Sequence, residues 1–379
     1  MIVRPPRSAR RSVSAQQRAV LTSTAMAADD PSTAIEAVRT RPGMYVGCLG
    51  GDGVLTMALD VIANACDQHF AGRCSLIEID VAPNGTITVA DDGPGLRVHG
   101  GSGLPPLPVL LTQPSDRPTV DGHRPHVHLG RGGLGLFVVN ALSERFELTT
   151  VRDGVEAKTI YARGHEVEPL ATAPTTRPTG TRIHFRPDPT IFRYPRVPRA
   201  SLTERLEDLS FILPQLTLRW RIAGDDLSAG GLAARIALHA DCPLDHVAAH
   251  RASFDTPSGP IDVEVALTWL SMQWDASSPP VFHSFVNLER SASHGTHVDG
   301  LIDGITAFFG RRRRQHLVAG VIAAVAVVLS DVKWGNPRHD RLDSPQARAP
   351  VANATRTALT AWAHAHPDAA TALRDHKRR

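Results

Sequence analysis

The sequence predicts an α+β fold arranged in two domains. Apolar and polar residues alternate on both sides of Asn84-Gly85, which is typical of two strands joined by a tight hairpin turn. Just upstream, apolar residues recur at helical spacing across residues 54–70. The composition shifts near residues 195–201, and a new series of helices and strands follows. A chain of 379 residues is long enough to bury a core in each domain.

The composition is typical of a soluble globular protein, with 42% apolar and 21% charged residues. The formal net charge of +3 is too small to indicate nucleic-acid binding by itself. The four cysteines form no Cys-x-x-Cys pair, which argues against a zinc site or a disulfide framework and favours a reducing, cytoplasmic location.

The longest apolar run, residues 317–329, is too short to span a bilayer, so we expect no membrane association. Residues 1–30 are basic without a continuous apolar stretch, which predicts a disordered arm.

The first part of the chain reads as short helices, a hairpin and further strands. Residues 31–39 predict a helix that is broken by the following Pro and Gly. Residues 97–128 are rich in Gly, Pro and His, and an irregular segment of this length is usually a lid or disordered. The other predicted elements are helix 54–70, the two hairpin strands, helix 136–142, and strands 146–151, 157–163 and 181–185, the last after a loop at 172–180.

The second part alternates helices and strands, which again indicates an α+β domain. The predicted elements are helix 202–213, strands 216–222, 261–268 and 281–286, helix 297–309, a basic run at 311–314, a buried strand and a C-terminal helix.

The hairpin leads into residues that are suited to bind a planar ring. Its second strand ends at Asp91 and Asp92, and Gly93 and Gly95 follow. A carboxylate at a strand end can accept a hydrogen bond from an exocyclic amino group, and glycines let backbone approach a flat ring or a phosphate. By itself the pattern is equally typical of a calcium-binding loop or a turn.

A stripe of polar residues lies on the helix before the hairpin. Asp60, Asn64 and Asp67 are spaced at i, i+4 and i+7, so they share one face of an otherwise buried element. Asparagine is a poor helix former, which favours a functional stripe over a merely solvated face. Downstream, the glycine-rich turn 130–135 opens another helix. Backbone amides at such a position suit a phosphate, although a structural turn has the same composition.

Short motifs along the chain then match one known family in order. They are Ala37-Val-Arg-x-Arg-Pro-Gly-Met-Tyr-Val-Gly47, Asn64-Ala-x-Asp67, Asp91-Asp-Gly-x-Gly95, Gly133-x-Gly135-x-x-Val-Val-Asn-Ala-Leu-Ser143, Gly180-Thr181-x-Ile-x-Phe185, Arg205-Leu-x-x-Leu-Ser-Phe211, Ser284-Phe-Val-Asn287 and Gly295-Thr-His297-x-x-Gly300. Across roughly residues 33–370 the chain resembles the ATPase half of bacterial DNA gyrase B and of the topoisomerase IV ATPase subunit, members of the GHKL superfamily.

The resemblance implies a GHKL (Bergerat) ATP-binding α/β sandwich at residues 31–198, with a lid at about 97–132, and a ribosomal-protein-S5-like transducer domain at 199–379. It also implies ATP and Mg²⁺ as ligands. Asn64 would hold Mg²⁺ through its amide oxygen, and Asp91 would accept the adenine amino group with Thr181 on the same edge. The further implied nucleotide-binding residues are Asp67, Gly93, Gly95, Leu96, Gly130, Gly132, Gly133, Leu134, Gly135 and Arg152.

Four positions depart from the family pattern. Asp60 stands where the family has its catalytic glutamate. Pro337-Arg338-His339 aligns with the family's Gln-Thr-Lys loop, so Arg338 and His339 are the candidate substitutes for its lysine. Pro94 replaces an arginine, and Gly132 replaces a histidine. The departures together predict retained nucleotide binding and slow hydrolysis.

The resemblance therefore implies an ATP-hydrolysing, type II topoisomerase-like protein that dimerises over ATP as a DNA-associated clamp. The family continues into a TOPRIM domain where this chain ends, so we expect no DNA cleavage without a gyrase A-like or TOPRIM-bearing partner. The rival hypotheses are a paralogue that binds ATP without turnover as an interaction partner, and one that binds nothing. Two minor alternatives stay open: a metal site at residues 294–299, and a solvated loop or a phosphate contact at 311–314.

Overall fold

The computed structural model describes residues 31–100, 105–114, 135–220, 225–227, 230–269, 278–310, 314–336 and 340–377. Within these residues the protein is α+β, with two separate mixed sheets, as the sequence predicts. The first sheet has the strand order β5-β4-β3-β6-β2-β1-β7-β8, and the second has the order β12-β11-β13-β10-β9. The strands are β1 (Leu76–Val81), β2 (Ile87–Asp91), β3 (Ser143–Arg152), β4 (Val155–Ala162), β5 (His165–Pro174), β6 (Gly180–Pro187), β7 (Thr217–Trp220), β8 (Asp225–Leu227), β9 (Ala248–Thr256), β10 (Gly259–Trp269), β11 (Val281–Val286), β12 (Glu289–Arg290) and β13 (Val321–Leu329).

Helices surround the two sheets, and none in the described ranges is both long and apolar enough to cross a membrane. The α-helices are α1 (Pro31–Thr40), α2 (Gly43–Val46), α3 (Gly51–Phe70), α4 (Leu107–Thr112), α5 (Gly135–Ala141), α6 (Arg199–Ile212), α7 (Gly231–Ala240), α8 (Thr296–Phe309), α9 (Arg314–Val318), α10 (Arg348–Ala365) and α11 (Pro367–His376). Short 3-10 helices occur at Leu244–His246 and Pro345–Ala347.

The predicted hairpin is confirmed as strands β1 and β2. They pair antiparallel, with Val81 opposite Ile87 at the turn. In the turn, the Thr86 N–H donates to Asn84 Oδ1 at 3.0 Å, and Gly85 has a φ of +87° that suits glycine. The hairpin therefore delivers Asp91 to the far end of β2, in the interior of the first sheet.

Helix α3 is buried in the core of the first sheet. Met57 and Ile62 of the helix are completely buried, as are Ile77 and Ile79 of β1, and all four belong to one hydrophobic cluster. Each such side chain stabilises the fold by about 1.5–3 kcal/mol. This packing holds the polar stripe of α3 in a fixed position beside the sheet.

The second sheet is built around β13, whose nine residues are all buried. The strand pairs antiparallel with β10 and parallel with β11. On one face, Val325 and Val327 pack in a second hydrophobic cluster with helices α8 and α10. On the other face, Ala324 and Ala326 belong to the cluster of the first sheet, so the two sheets share apolar contacts.

Several elements were not predicted, among them strand β5, helix α7 and strand β9. Strand β5 runs through the start of the loop predicted at 172–180 and lies at the sheet edge. The first sheet also extends further along the chain than the proposed domain boundary. Strands β7 and β8 follow residue 198 but join this sheet, with β7 parallel to β1. The division into domains 31–198 and 199–379 stays a prediction.

Some predicted features fall where the structure gives no description. The disordered arm predicted at residues 1–30, most of the lid predicted at 97–132 and most of the basic run at 311–314 lie outside the described residues. These three features stay predictions.

Candidate functional site

Asp91 lies at the end of β2, directly opposite Thr181 of β6. The Gly93 N–H donates to Asp91 Oδ1 at 2.9 Å and fixes the rotation of the carboxylate. Burial raises the pKa of Asp91 to about 6, against hydrogen bonds from the Gly93 and Thr181 backbones that lower it. Above that pH the carboxylate is ionised and oriented, which is the state that accepts hydrogen bonds most strongly.

The loop after β2 is pressed against β3. Gly95 has a φ of +73°, and a Cβ on it would lie 2.2 Å from the Val151 carbonyl oxygen. The next residue, Leu96, donates its N–H to Thr150 Oγ1 at 2.7 Å. Arg152 Nη1 donates to the Gly95 carbonyl at 2.9 Å. Only glycine fits this position, and hydrogen bonds with Thr150 and Arg152 hold the loop there.

A second close approach occurs on the other side of Asp91. A Cβ on Gly180 would lie 2.3 Å from the Asp91 carbonyl oxygen. The Thr181 and Thr150 hydroxyl oxygens are 3.5 Å apart, and both residues are buried. Asp91, Thr181 and Thr150 therefore meet at the end of three adjacent strands, β2, β6 and β3. Sequence reasoning missed Thr150, because nothing in its strand pattern indicates that its hydroxyl oxygen accepts a hydrogen bond from the Leu96 N–H.

The neighbouring carboxylate, Asp92, has a structural role. It accepts hydrogen bonds from the Ser75 N–H at 2.8 Å, the Ser75 hydroxyl at 2.5 Å and the Leu76 N–H at 2.9 Å. Burial alone would raise the pKa of Asp92, but these bonds outweigh it and hold the pKa below its usual value. Asp92 thus fastens the start of β1 to the end of β2.

The polar stripe of α3 differs in burial from residue to residue. Asn64 is half-buried, Asp60 is 7% exposed and Asp67 is completely buried. Burial and, to a smaller degree, the carboxylate of Glu289 raise the pKa of Asp60 to about 7. A carboxyl group with a pKa near neutral pH is suited to act as a general base. The binding role of Asp67 stays a prediction.

The donor set fits an adenine nucleotide with magnesium. The oriented Asp91 carboxylate and the Thr181 hydroxyl suit the polar edge of a purine. The half-buried amide of Asn64 offers the oxygen ligand that Mg²⁺ prefers.

Much of the predicted phosphate-binding region lies outside the described residues. These predictions concern Gly130, Gly132, Gly133, Leu134, Arg338 and His339. Gly135 is described, as the first residue of α5, with a φ of +59°. Asn140 of α5 donates from Nδ2 to the Leu111 carbonyl at 2.9 Å and so ties α4, from the predicted lid, to the core.

The residues considered as an alternative metal site have structural roles. Among the described residues, no three His, Cys, Asp or Glu side chains are arranged to hold a metal ion. His297 is completely buried at the start of α8, and burial lowers its pKa to about 3. His294 Nδ1 lies 2.8 Å from Ser284 Oγ, whose hydroxyl donates to the Ser291 carbonyl. These bonds hold strand β11 against the loop before α8.

The geometry agrees with comparisons to known proteins. No protein-family model matches the chain. The chloroplastic/mitochondrial DNA gyrase B of Oryza sativa subsp. japonica is 29% identical over 367 residues, which cover 88% of this chain and 49% of that protein. The chain thus spans about half the length of the curated relatives that it matches.

Solved structures share the fold. The 43K ATPase domain of Thermus thermophilus gyrase B, determined in complex with an aminocoumarin, superimposes with a TM-score of 0.73 at 23% identity, covering 91% of this chain and 94% of that one. The topoisomerase IV ATP-binding domain of Francisella tularensis, in complex with a small-molecule inhibitor, gives a TM-score of 0.71 at 22% identity, covering 90% and 95%.

The α+β fold with its mixed sheets is therefore the fold of these ATPase-domain structures. The resemblance to DNA gyrase B, first drawn from the motifs, is confirmed in sequence over 88% of the chain, and the topoisomerase IV ATP-binding domain shares the fold.

Proposed function

We propose that the chain binds ATP with Mg²⁺ and hydrolyses it slowly, as the ATPase half of a type II DNA topoisomerase. Two copies would dimerise when the lid closes over ATP and would form a nucleotide-gated clamp on DNA in the cytoplasm. The further proposed partner is a gyrase A-like or TOPRIM-bearing subunit. The likeness to gyrase B across 88% of the chain supports this assignment.

The observation that carries the proposal is the shape of the chain around Asp91. Its carboxylate is oriented by Gly93, and Gly95 and Gly180 approach their neighbours too closely for any side chain. This close packing holds an oriented carboxylate acceptor at the end of the strand, which favours a ligand that carries an amino group. The adenine ring has an exocyclic amino group.

Different residues would contact the adenine ring and the metal ion. Asp91 and Thr181 would hold the adenine edge, and Gly93, Gly95 and Leu96 would lie against the ring. Asn64 would hold Mg²⁺, which when bound neutralises charge on the phosphates.

Asp60 would take the proton of the attacking water. Its pKa of about 7 suits a base that works near neutral pH. Aspartate is one methylene shorter than the family's glutamate, so its carboxylate is set back from the water. A misplacement of about 1 Å costs roughly 10²-fold in rate, which is why we expect slow turnover.

The departures from the family favour a second candidate function. In it the chain binds ATP without significant turnover and acts as an interaction or regulatory partner. The shorter carboxylate at Asp60 and the loss of the family's lysine support this candidate.

The two candidates are separated by measuring equilibrium ATP binding and single-turnover hydrolysis on one preparation, with and without DNA. ATP binding with DNA-stimulated hydrolysis is the expected result. Binding without hydrolysis would establish the second candidate. Absence of ATP binding would contradict both.

A further inference from the structure

A cavity of about 320 Å³ lies between helices α8, α10 and α11, far along the chain from the candidate nucleotide site. Its described lining consists of Phe308, Arg356, Thr360, His364, Arg374 and two alanines. The two arginines, Thr360 and His364 are exposed, so the cavity opens to solvent. Its volume is at the small end of ligand sites, which range from about 300 to 1,000 Å³. The described lining has no carboxylate and three basic side chains, which favours an anionic ligand.

Arg374 of α11 is held over an aromatic ring. Its guanidinium carbon lies 4.8 Å from the centre of the Phe308 ring. Phe308 makes an edge-to-face contact with Phe309 at 5.0 Å between ring centres, and Phe309 makes another with Trp269 at 5.7 Å. Trp269 is buried at the end of β10, so this row of rings anchors Phe308 to the second sheet. A guanidinium that stacks on a ring keeps the N–H groups at its edge available for an anion.

The other basic residues of the cavity lie on one face of α10. Arg356, Thr360 and His364 are spaced at i, i+4 and i+8. On the opposite face, Ala354 and Ala358 are buried in the second hydrophobic cluster, which fixes the rotation of the helix. The Thr360 hydroxyl donates to the Arg356 carbonyl at 2.8 Å. The donors that remain for a ligand on this face are therefore Arg356 and His364.

The two arginines of the cavity are not neutralised by the part of the chain that the structure describes. Within it, neither Arg356 nor Arg374 forms an ion pair with a carboxylate. Arg348, on the same helix as Arg356, differs in this respect, because its Nε lies 2.6 Å from Asp303 Oδ2 of α8. Two unneutralised guanidinium groups at one cavity favour a bound anion, and their planar forks match the geometry of a phosphate group.

We propose that this cavity is a phosphate-binding site, with Arg356 and Arg374 as the charged donors and His364 as a further donor. The phosphate group is carried by the backbone of DNA or by a small free phosphate ligand. For DNA, the inference names a surface through which the proposed clamp meets the duplex, and in that respect it rests on the proposed function. Contacts of this kind position a nucleic-acid backbone and do not read its bases.

The first arm of the test measures the binding of a fluorescently labelled DNA duplex to the nucleotide-free full chain, by anisotropy at several salt concentrations. Arg356→Gln and Arg374→Gln are each expected to weaken binding about tenfold and to lower the slope of log affinity against log salt by about one. Arg348→Gln is the matched control, because it removes the same charge from α10, where that charge is already paired with Asp303. An equal loss in the control would overturn the DNA contact at this cavity.

The second arm titrates inorganic pyrophosphate into the same proteins by calorimetry. The candidate nucleotide site is intact in all of them, so the binding that Arg356→Gln and Arg374→Gln lose is the binding at this cavity. Loss of pyrophosphate binding in these two variants, with DNA binding unchanged, would assign the site to a free phosphate ligand. Wild-type binding of both DNA and pyrophosphate in the two variants would overturn the proposal.

Arg374→Lys separates a built site from a general effect of charge. Lysine keeps the positive charge but lacks the planar fork that stacks on Phe308, so the variant should bind the phosphate ligand more weakly than the wild type. Wild-type affinity in Arg374→Lys would overturn the role of the stacked guanidinium. Neither arm uses ATP, so a failure of ATP binding or hydrolysis would contradict the proposed function and leave this test unaffected.

Discussion

The proposed adenine end and the proposed phosphate end of the candidate site, called the adenine end and the phosphate end below, are built in different ways. At the adenine end, Asp91, Thr181 and Thr150 come from three adjacent strands, and two glycines lock the backbone around them. At the phosphate end, the described residues Asp60 and Asn64 lie on one face of a single helix. The adenine end has the aspartate that the gyrase B motif predicts as acceptor, whereas the phosphate end has Asp60 where that motif predicts a glutamate.

This contrast predicts that binding and turnover are separable in this protein. The adenine end depends on rigid sheet geometry, which tolerates little change, and its polar groups are already oriented. The phosphate end depends on the position of the Asp60 carboxylate and on its ionisation, and its pKa responds to burial and to the charge of Glu289. Changes at the first end should weaken or abolish ATP binding, and changes at the second should alter the rate and pH dependence of hydrolysis.

The largest effect is expected from Gly95→Ala. The new Cβ would lie 2.2 Å from the Val151 carbonyl at a φ of +73°, so we expect a loss of about 4 kcal/mol in the free energy of unfolding, and loss of ATP binding. Urea unfolding and calorimetry measure the two quantities. Gly72→Ala is the control, because Gly72 has a φ of +70° and no atom within 4 Å of the added Cβ. An equal loss in both variants would show that the close approach at Gly95 is unimportant.

Asp60→Asn should stabilise the protein in a pH-dependent manner. The pKa of Asp60 rises from an ordinary value near 4 to about 7 on folding, so the folded state binds the extra proton and wild-type stability falls as pH rises through this range. The advantage of the variant should grow by up to about 4 kcal/mol between about pH 4 and pH 8. Asp92→Asn should show the opposite sign, because the pKa of Asp92 is lowered. A pH-independent effect of Asp60→Asn on urea unfolding would contradict the assignment.

Asp91→Asn should weaken ATP binding by about 10- to 100-fold, because a charged acceptor becomes a neutral amide. Isothermal titration calorimetry measures the affinity. Asp92→Asn serves as the control, since its carboxylate binds Ser75 and Leu76 and should affect stability but not affinity. Normal ATP affinity in Asp91→Asn would contradict the assignment of Asp91 as the adenine acceptor.

The smallest expected effect is the pH dependence of ATP affinity in the wild-type protein. The pKa of Asp91 is about 6, and only its ionised form accepts the amino group. ATP affinity should therefore be constant above that pH and fall about tenfold per pH unit below it. Affinity that stays level down to about pH 4.5 would show that Asp91 does not contact the base.

Local patterns in the sequence were enough to predict the hairpin and the strand end that carries Asp91. The Asn84-Gly85 turn and the alternation beside it define β1 and β2, and these place Asp91 at a strand end. Strand β5 was missed because its residues are mostly exposed, so it has no alternating apolar face. Helix α7 was missed because it begins at Gly231, a residue that usually interrupts helices.

Contacts between distant parts of the chain could not be predicted. The Thr150 hydroxyl accepts a hydrogen bond from the Leu96 amide, 54 positions away in the sequence. Arg205 of α6 pairs with Glu289 of β12 in the second sheet. The first depends on the order of the strands in the sheet and the second on the docking of the β11–β12 turn, and no local spacing encodes either. The raised pKa of Asp60 could not be predicted either, because it follows from burial and from the carboxylate of Glu289, which is distant in sequence.

Whether binding and turnover are separable is decided by single-turnover ATP hydrolysis of the wild type and Asp60→Glu, with ATP affinity measured on the same samples. The added methylene restores the reach of the carboxylate, so we predict equal affinities and hydrolysis at least about tenfold faster in the variant. Equal or slower hydrolysis by Asp60→Glu would contradict the assignment of Asp60 as a shortened base and would direct attention to the missing lysine at Pro337-Arg338-His339.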